Sequence, residues 1–256
     1  MRWAYIRETW DFGSTIEIEE KHTGRYGAKG QEREEKRKAT PEEIAKQNQW
    51  RRQRDVRRLI KWNFHERDYW ITLTYPRGYK PTWEEMKDHA GKLVRKIREK
   101  YKKQGWILKY IYRLAIGSRG GRHIHILINR EANEKTATDL IITDLWEQRW
   151  GHGHVNFRTL YSEGGYRQLA IYITKPLEKW ESEELKRYHP SRNLIRKDPE
   201  TEEIKRRSLV DRDGKPRPPK APKGYYVDPE SIETGKNLVT GYAYRHYILV
   251  KIKKKE

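Results

Sequence analysis

The chain has 256 residues, with 57 Lys and Arg against 37 Asp and Glu, so its formal net charge is +20 at pH 7. Basic side chains release condensed counterions when they meet phosphates, so this charge favours a nucleic acid as partner. The sequence has no cysteine and no apolar run as long as a membrane span, which excludes disulfides and thiolate metal sites and leads us to expect a soluble, intracellular protein.

The N-terminal region is predicted to form a hairpin followed by a basic helix. Alternating residues flank a turn at 11–14, and the segment Thr40–Glu43 has the chemistry of a helix start. This helix is expected to end near Phe64, and its excess of basic residues predicts contacts with DNA phosphates, although a solvated helix is the alternative. The predicted contacts are Arg51, Arg54, Arg57, Arg58 and Lys61.

Between residues 68 and 161 the pattern predicts the order β-α-β-β-α-β. The strands are rich in β-branched and aromatic residues, whereas the helices repeat apolar residues at helical spacing. This order is typical of a ferredoxin-like (split β-α-β) fold of the α+β class, with an antiparallel sheet, helices on one face and an open second face. The strands are expected at 68–75, 107–116, 122–129 and 155–161, and the helices at 82–101 and 134–150.

After this region the pattern becomes less regular. A helix stopped by Pro176 is followed by a charged, irregular stretch, a proline-rich linker at 211–224 and an expected strand at 242–252. We therefore predict an N-terminal hairpin and basic helical arm at 1–66, a core at 67–180 and an irregular C-terminal extension at 181–256.

Two histidines on one predicted strand form a candidate metal site. Side chains alternate along a strand, so His123 and His125 project from the same face while Ile124 projects from the other. Adjacent neutral imidazoles are suited to hold a divalent metal ion, although two solvated histidines on a polar face are the alternative. A second pair, His152 and His154, lies in a glycine-flanked turn that does not fix the direction of its side chains, so we do not assign it as ligands.

The helix before Pro176 carries the remaining candidate site residues. Gln168, Tyr172 and Lys175 are spaced so that they share one helix face. If this helix crosses the open face of the sheet, it brings a phenol and an ammonium group over the histidine pair.

Three short motifs together resemble the HUH endonucleases of rolling-circle replication initiators and relaxases. They are the strand Ile71–Tyr75, the His123-Ile124-His125 element, and Tyr172-Ile173-Thr174-Lys175 as a Tyr-x-x-Lys element. The motifs occur in the order found in replication initiators and cover about residues 68–176. By this resemblance the segment 67–180 is an HUH endonuclease core with a single catalytic tyrosine.

The resemblance implies metal-dependent, site- and strand-specific nicking and rejoining of single-stranded DNA. In this mechanism Tyr172 attacks the scissile phosphodiester and forms a 5′-phosphotyrosine, while His123 and His125 hold Mn²⁺ or Mg²⁺. Lys175 would stabilise the phosphate or assist proton transfer. Arg119 and Arg122, in the turn beside the histidines, are further candidate DNA contacts.

The same resemblance suggests where the protein acts and with what. The substrate would be single-stranded DNA at a replication origin, associated with a hairpin, in the cytoplasm and nucleoid of a bacterial host. Since the sequence contains no Gly-x-x-x-x-Gly-Lys-[Ser/Thr] loop, unwinding would come from a host helicase, with a host polymerase for synthesis.

The sequence departs from relatives of this kind at two positions. Many relatives take a third metal ligand from the strand before the histidine pair, but residues 112–116 contain no carboxylate, so Gln168 is the candidate, with Glu163 and Asp68 as alternatives. Some phage initiators carry a second tyrosine where this chain has Gln168. Ending a replication round would then need a second protomer, in a homodimer, or another nucleophile.

Three other functions remain open at this stage. A non-catalytic single-strand-binding protein with an RRM-like sheet would need neither the metal nor Tyr172. A metal-dependent nuclease that uses water would leave no covalent adduct. A single-tyrosine transposase or relaxase would share the chemistry and differ only in biological role.

Overall fold

The structure is a computed structural model of the chain. It describes residues 4–23, 39–117, 119–161, 165–176, 186–205, 209–211, 213, 215–237 and 241–252. The chain divides into two compact units, one formed by Asn48–Arg196 and the other by Met1–Gln47 together with Lys197–Glu256. Most of the charged stretch 21–39 lies outside the described residues, as does Glu163.

The described residues form eleven strands and four α-helices. The strands are β1 Tyr5–Asp11, β2 Thr15–His22, β3 Tyr69–Thr74, β4 Tyr110–Ile116, β5 Arg122–Ile128, β6 His154–Thr159, β7 His189–Pro190, β8 Glu200–Ile204, β9 Tyr225–Val227, β10 Glu233–Lys236 and β11 Ala243–Lys251. The helices are α1 Pro41–Asn63, α2 Trp83–Lys103, α3 Thr138–Thr143 and α4 Arg167–Ile173, and a π-helical turn, Asp144–Arg149, extends α3. None of these helices has the length and apolar character needed to cross a membrane.

The unit Asn48–Arg196 is built on an antiparallel sheet in the order β6-β3-β5-β4-β7. One face of this sheet packs against α2, α3 and the π-helical turn, as the apolar spacing predicts. The buried core on this face includes Ile71, Leu73, Ile124 and Ile126 from the strands, Met86, Leu93 and Ile97 from α2, and Ile142 and Trp146 from α3 and the turn. The antiparallel, ferredoxin-like α+β arrangement is therefore confirmed.

The second face of the sheet is only partly open, which differs from the expectation of helices on one face alone. Leu127 and Ile111 on this face pack with Val56, Leu59 and Ile60 of α1 and with Ile173 of α4. Apolar side chains at these strand positions must be covered, and α1 and α4 supply the cover. The exposed remainder of the face carries the candidate site.

The second unit joins the two ends of the chain in another antiparallel sheet. Its order is β10-β11-β2-β1-β8, with β9 paired to β11. The predicted terminal strand is β11, but the segment expected to be irregular also contributes β8, β9 and β10. The predicted boundaries at 66 and 180 therefore differ from the observed division, because the N-terminal hairpin pairs with C-terminal strands.

Candidate active site

The two histidines of β5 share the partly open face with two threonines of β3. In the antiparallel register Thr72 lies opposite His125 and Thr74 lies opposite His123. Thr72 Oγ1 is 3.1 Å from His125 Nδ1, and Thr74 Oγ1 is 3.3 Å from His123 Nδ1. When each threonine accepts a hydrogen bond from Nδ1–H, the Nε2 lone pair of each imidazole is left available as a ligand.

The turn between β4 and β5 leaves space around the imidazole of His123. A Cβ atom added at Gly121 would lie 3.1 Å from His123 Nε2, and one added at Gly117 would lie 3.3 Å from the same atom. Gly117 N donates to Gly121 O at 2.8 Å, which closes the turn beside the ring. Glycine at both positions therefore keeps the approach to His123 Nε2 free of side-chain atoms from these two residues.

Helix α4 brings the predicted nucleophile to this pair. The Tyr172 hydroxyl lies 2.6 Å from His125 Nε2, which is hydrogen-bonding distance. The Trp70 ring lies parallel to the His125 imidazole at 5.4 Å between centroids and meets the Tyr172 ring edge-on at 5.8 Å. Tyr172 is nevertheless 39% exposed, so a strand of DNA can reach its hydroxyl.

Burial sets the protonation states at this site. It lowers the pKa of His125 to about 4, with His123 and Arg113 adding to the effect, and it also lowers the pKa of His123. Both imidazoles are therefore neutral near pH 7, the form that binds metal ions. Burial raises the pKa of Tyr172, and the nearby charges of Arg113 and Lys175 oppose this rise.

The donor set fits a divalent metal ion through two neutral imidazoles. No group of three or more His, Asp or Glu side chains suited to a metal ion occurs among the described residues. Gln168 is exposed on α4, one turn before Tyr172, and remains the candidate for a third ligand. Asp68 is not a suitable ligand, because its carboxylate accepts the backbone N–H groups of Arg130 and His65, each at 2.8 Å.

Arg113 is the site residue that the sequence analysis missed. It lies on β4 directly opposite His125, and its guanidinium donates to carbonyl oxygens at the end of α4. The missed signal was the register, since a hairpin with a turn at 117–121 places Arg113 beside His125 on the same sheet face.

The predicted DNA-binding residues differ in their accessibility. Arg51, Arg119 and Lys175 are exposed, while Arg54, Lys61 and Arg122 are partly exposed. The prediction that Arg57 and Arg58 contact phosphates is wrong, because these side chains are only 8% and 6% exposed. They flank Val56, Leu59 and Ile60, which pack α1 onto the sheet, so this part of the helix is enclosed with them.

Fold and site together define an antiparallel α+β protein in which a tyrosine on a helix contacts one of two adjacent histidines on a strand. Residues 68–177 match a family model of replication-associated proteins, the ORF2 type. The matched range runs from the start of β3 past the end of α4, so it contains both histidines and Tyr172. The match indicates a replication-associated protein and is consistent with a rolling-circle Rep-type protein. Comparison with curated proteins and with solved structures gives no match.

Proposed function

We propose that the protein is a rolling-circle replication initiator that nicks and rejoins single-stranded DNA through a 5′-phosphotyrosine. The observation that carries this proposal is the 2.6 Å distance between the Tyr172 hydroxyl and His125 Nε2, within a stretch similar to replication-associated proteins. A tyrosine that is exposed to solvent and adjacent to two neutral imidazoles is suited to attack a phosphodiester held at the same place.

The chemical step is a transesterification at phosphorus. The Tyr172 oxygen bonds to the scissile phosphorus, the bond from phosphorus to the 3′ oxygen breaks, and the departing 3′ oxygen takes up a proton while the phenol releases one. The number of phosphoester bonds is unchanged, so a later 3′ hydroxyl can reverse the step without a nucleotide cofactor. This balance explains how one site both nicks and rejoins.

The surrounding side chains bind the substrate and set its charge environment. His123 and His125 would hold Mn²⁺ or Mg²⁺, which when bound polarises the phosphate and stabilises negative charge on the departing oxygen. Lys175 is exposed three residues after Tyr172, where an ammonium group attracts the phosphate. The net charge of +20 favours DNA binding over the whole chain.

The proposed setting is the one that the resemblance implies. The substrate is a single strand at a replication origin, associated with a hairpin, in a bacterial cytoplasm. Host helicase and polymerase supply unwinding and synthesis.

The test is formation of a covalent adduct. The purified chain is incubated with Mn²⁺ and a 5′- or 3′-labelled single strand that covers the origin of the element encoding it, and the products are separated in SDS. We expect an SDS-resistant adduct that Tyr172→Phe abolishes while DNA affinity changes less than twofold. Tyr161→Phe is the matched control, because Tyr161 is 77% exposed and lies outside the helix that carries Tyr172. An undiminished adduct in Tyr172→Phe contradicts the assignment of the nucleophile.

The histidine pair is tested separately. The double variant His123→Ala with His125→Ala should lose cleavage yet keep most of its DNA affinity, because basic side chains dominate binding. Cleavage by the wild type without any adduct would indicate hydrolysis by water. A loss of affinity in the double variant, with no cleavage by the wild type, would favour the non-catalytic binding protein.

A further inference from the structure

The C-terminal end of α4 is held by side chains from outside the helix. The last carbonyl groups of a helix have no donor within it and need other partners. Arg113 Nη1 donates to Tyr172 O at 3.2 Å, to Ile173 O at 3.1 Å and to Lys175 O at 2.7 Å. Gln49 Nε2 donates to the remaining carbonyl, Thr174 O, at 2.9 Å. Four consecutive carbonyl groups, beginning with that of Tyr172, are thus bound by two side chains.

These two side chains connect α4 to fixed parts of the same unit. Arg113 is 4% exposed and lies opposite His125 on the neighbouring strand, so it links the helix end to the sheet position of that histidine. Gln49 lies on α1, and its Oε1 accepts a hydrogen bond from Arg187 Nη1. We call Arg113 and Gln49 the carbonyl clamp of α4.

The clamp is needed because α4 is short. The helix has seven residues, far fewer than an isolated helix needs to be stable in water, so its position depends on tertiary contacts. A guanidinium at its C-terminal end also stabilises the negative end of the helix dipole. Apolar packing of Ala170 and Ile173 fixes one side of the helix, and the clamp fixes its end.

We infer that Arg113, supported by Gln49, is a positioning residue that holds Tyr172 against His125 for the transesterification. This inference rests on the proposed function for its kinetic consequence, but the contacts themselves do not. Arg113 acts on the backbone of the nucleophile, through hydrogen bonds that it donates to protein carbonyl groups. Losing the clamp should therefore lower the rate of attack far more than it lowers DNA binding, since small misplacements of a reacting group cost about a hundredfold.

The experiment compares Arg113→Met, Arg113→Lys and Gln49→Leu with the wild type. Rates of adduct formation are measured over a range of DNA concentrations in Mn²⁺. We expect Arg113→Met to reduce the rate at saturating DNA by roughly tenfold to a hundredfold with less than a twofold change in the half-saturating concentration. Arg113→Lys should recover part of the loss, because an ammonium group can donate to the same carbonyls. Arg130→Met is the control for removing an arginine, since Arg130 is exposed and lies over the Tyr69 ring at 5.1 Å.

A second readout does not depend on activity. Fluorotyrosine is placed at position 172, and its ¹⁹F shift reports the contact with the Trp70 and His125 rings. Arg113→Met should move the shift towards its value in unfolded protein, and Arg113→Lys should move it less. If Arg113→Met does not fold, Gln49→Leu tests the clamp from α1 with the same two measurements.

Three outcomes decide the matter. A wild-type rate and an unchanged ¹⁹F shift in both Arg113→Met and Gln49→Leu overturn the inference. A reduced rate with an unchanged shift, and without rescue in Arg113→Lys, also overturns it. If the wild type forms no adduct, the proposed function fails, while the ¹⁹F shifts still support or reject the clamp.

Discussion

His125 uses both of its ring nitrogens within the protein. Nδ1 faces Thr72 at 3.1 Å and Nε2 faces the Tyr172 hydroxyl at 2.6 Å. The Nε2 lone pair cannot bind a metal ion and accept a hydrogen bond from the phenol at the same time. Metal binding at His125 therefore competes with this hydrogen bond, and the arrival of the metal would release the phenol towards the phosphate.

This competition predicts the metal affinity of a variant that has no phenol. Tyr172→Phe should bind Mn²⁺ more tightly than the wild type by roughly fivefold, because a hydrogen bond of about 1 kcal/mol no longer has to be broken. Calorimetric titration of the DNA-free protein with Mn²⁺ checks this, with Tyr161→Phe as control. A lower affinity in Tyr172→Phe would mean that the phenol oxygen is itself a ligand.

The residues of this site differ in how far the sequence predicts them. Alternation along 122–128 places His123 and His125 on one face, and helical spacing places Tyr172 beside Lys175, so these relations follow from local geometry. The role of Arg113 depends on the register of β4 with β5 and on the place where α4 ends. Both are tertiary properties, which a local pattern does not contain.

At the scale of elements, α1 shows why the sequence predicts a basic helix better than it predicts the surroundings of that helix. Its bounds, Pro41–Asn63, agree closely with the prediction, because the capping residues and apolar spacing are local signals. Its sparse apolar residues are expected to form one side of an arm, but they pack on the sheet and enclose Arg57 and Arg58. The exposed Arg51 remains a candidate phosphate contact.

Salt dependence tests the role of α1. Arg51→Gln should weaken single-strand binding and reduce the slope of log affinity against log salt by about 0.7, the value for one lost phosphate contact. Fluorescence anisotropy at several salt concentrations measures this slope. Arg98→Gln is the matched control, because Arg98 is an exposed arginine on α2, which packs on the opposite face of the sheet. Equal slopes in both variants would remove Arg51 from the DNA interface.

At the scale of the whole molecule, the pairing of the two chain ends is the feature that the sequence pattern does not predict. Glu20 on β2 is fully buried between Arg7 on β1 and Arg245 on β11, and Arg245 is 225 residues away in sequence. Arg7 Nη2 lies 2.8 Å from Glu20 Oε1, and Arg245 Nε donates to Glu20 Oε2 at 2.7 Å. A pairing over such a distance leaves no local periodicity, so the pattern predicts the hairpin and the last strand separately and not as one sheet.

The buried carboxylate makes this sheet sensitive to one substitution. Glu20→Gln should destabilise the unit by about 3 kcal/mol, because two enclosed guanidinium groups lose their counter-charge. Amide hydrogen exchange in β1, β2 and β11 measures the effect. Glu202→Gln is the control, since Glu202 also binds Arg7 but its side chain is 59% exposed, and we expect a change below about 0.5 kcal/mol. Similar exchange in the two variants would contradict a stabilising role for the buried pair.

The unit Asn48–Arg196 should lose stability in acid through its buried histidines. Burial lowers the pKa values of His89, His123, His125, His152 and His189, with that of His125 reaching about 4 from an ordinary value of 6.5. Between these limits the unfolded chain binds protons that the folded chain does not, so the unfolding free energy falls as the pH falls through this window.

The contribution of His125 to this loss can be isolated. It amounts to at most about 3 kcal/mol, from about 1.4 kcal/mol per pKa unit. Urea unfolding in a chelator at pH 7 and pH 4.5 should therefore show a smaller decrease in unfolding free energy for His125→Gln than for the wild type. His65→Gln, which changes an exposed histidine, should retain the wild-type decrease. An equal decrease in His125→Gln and the wild type would show that His125 is not kept neutral by burial, and the site would then bind protons where the proposed chemistry requires a metal ion.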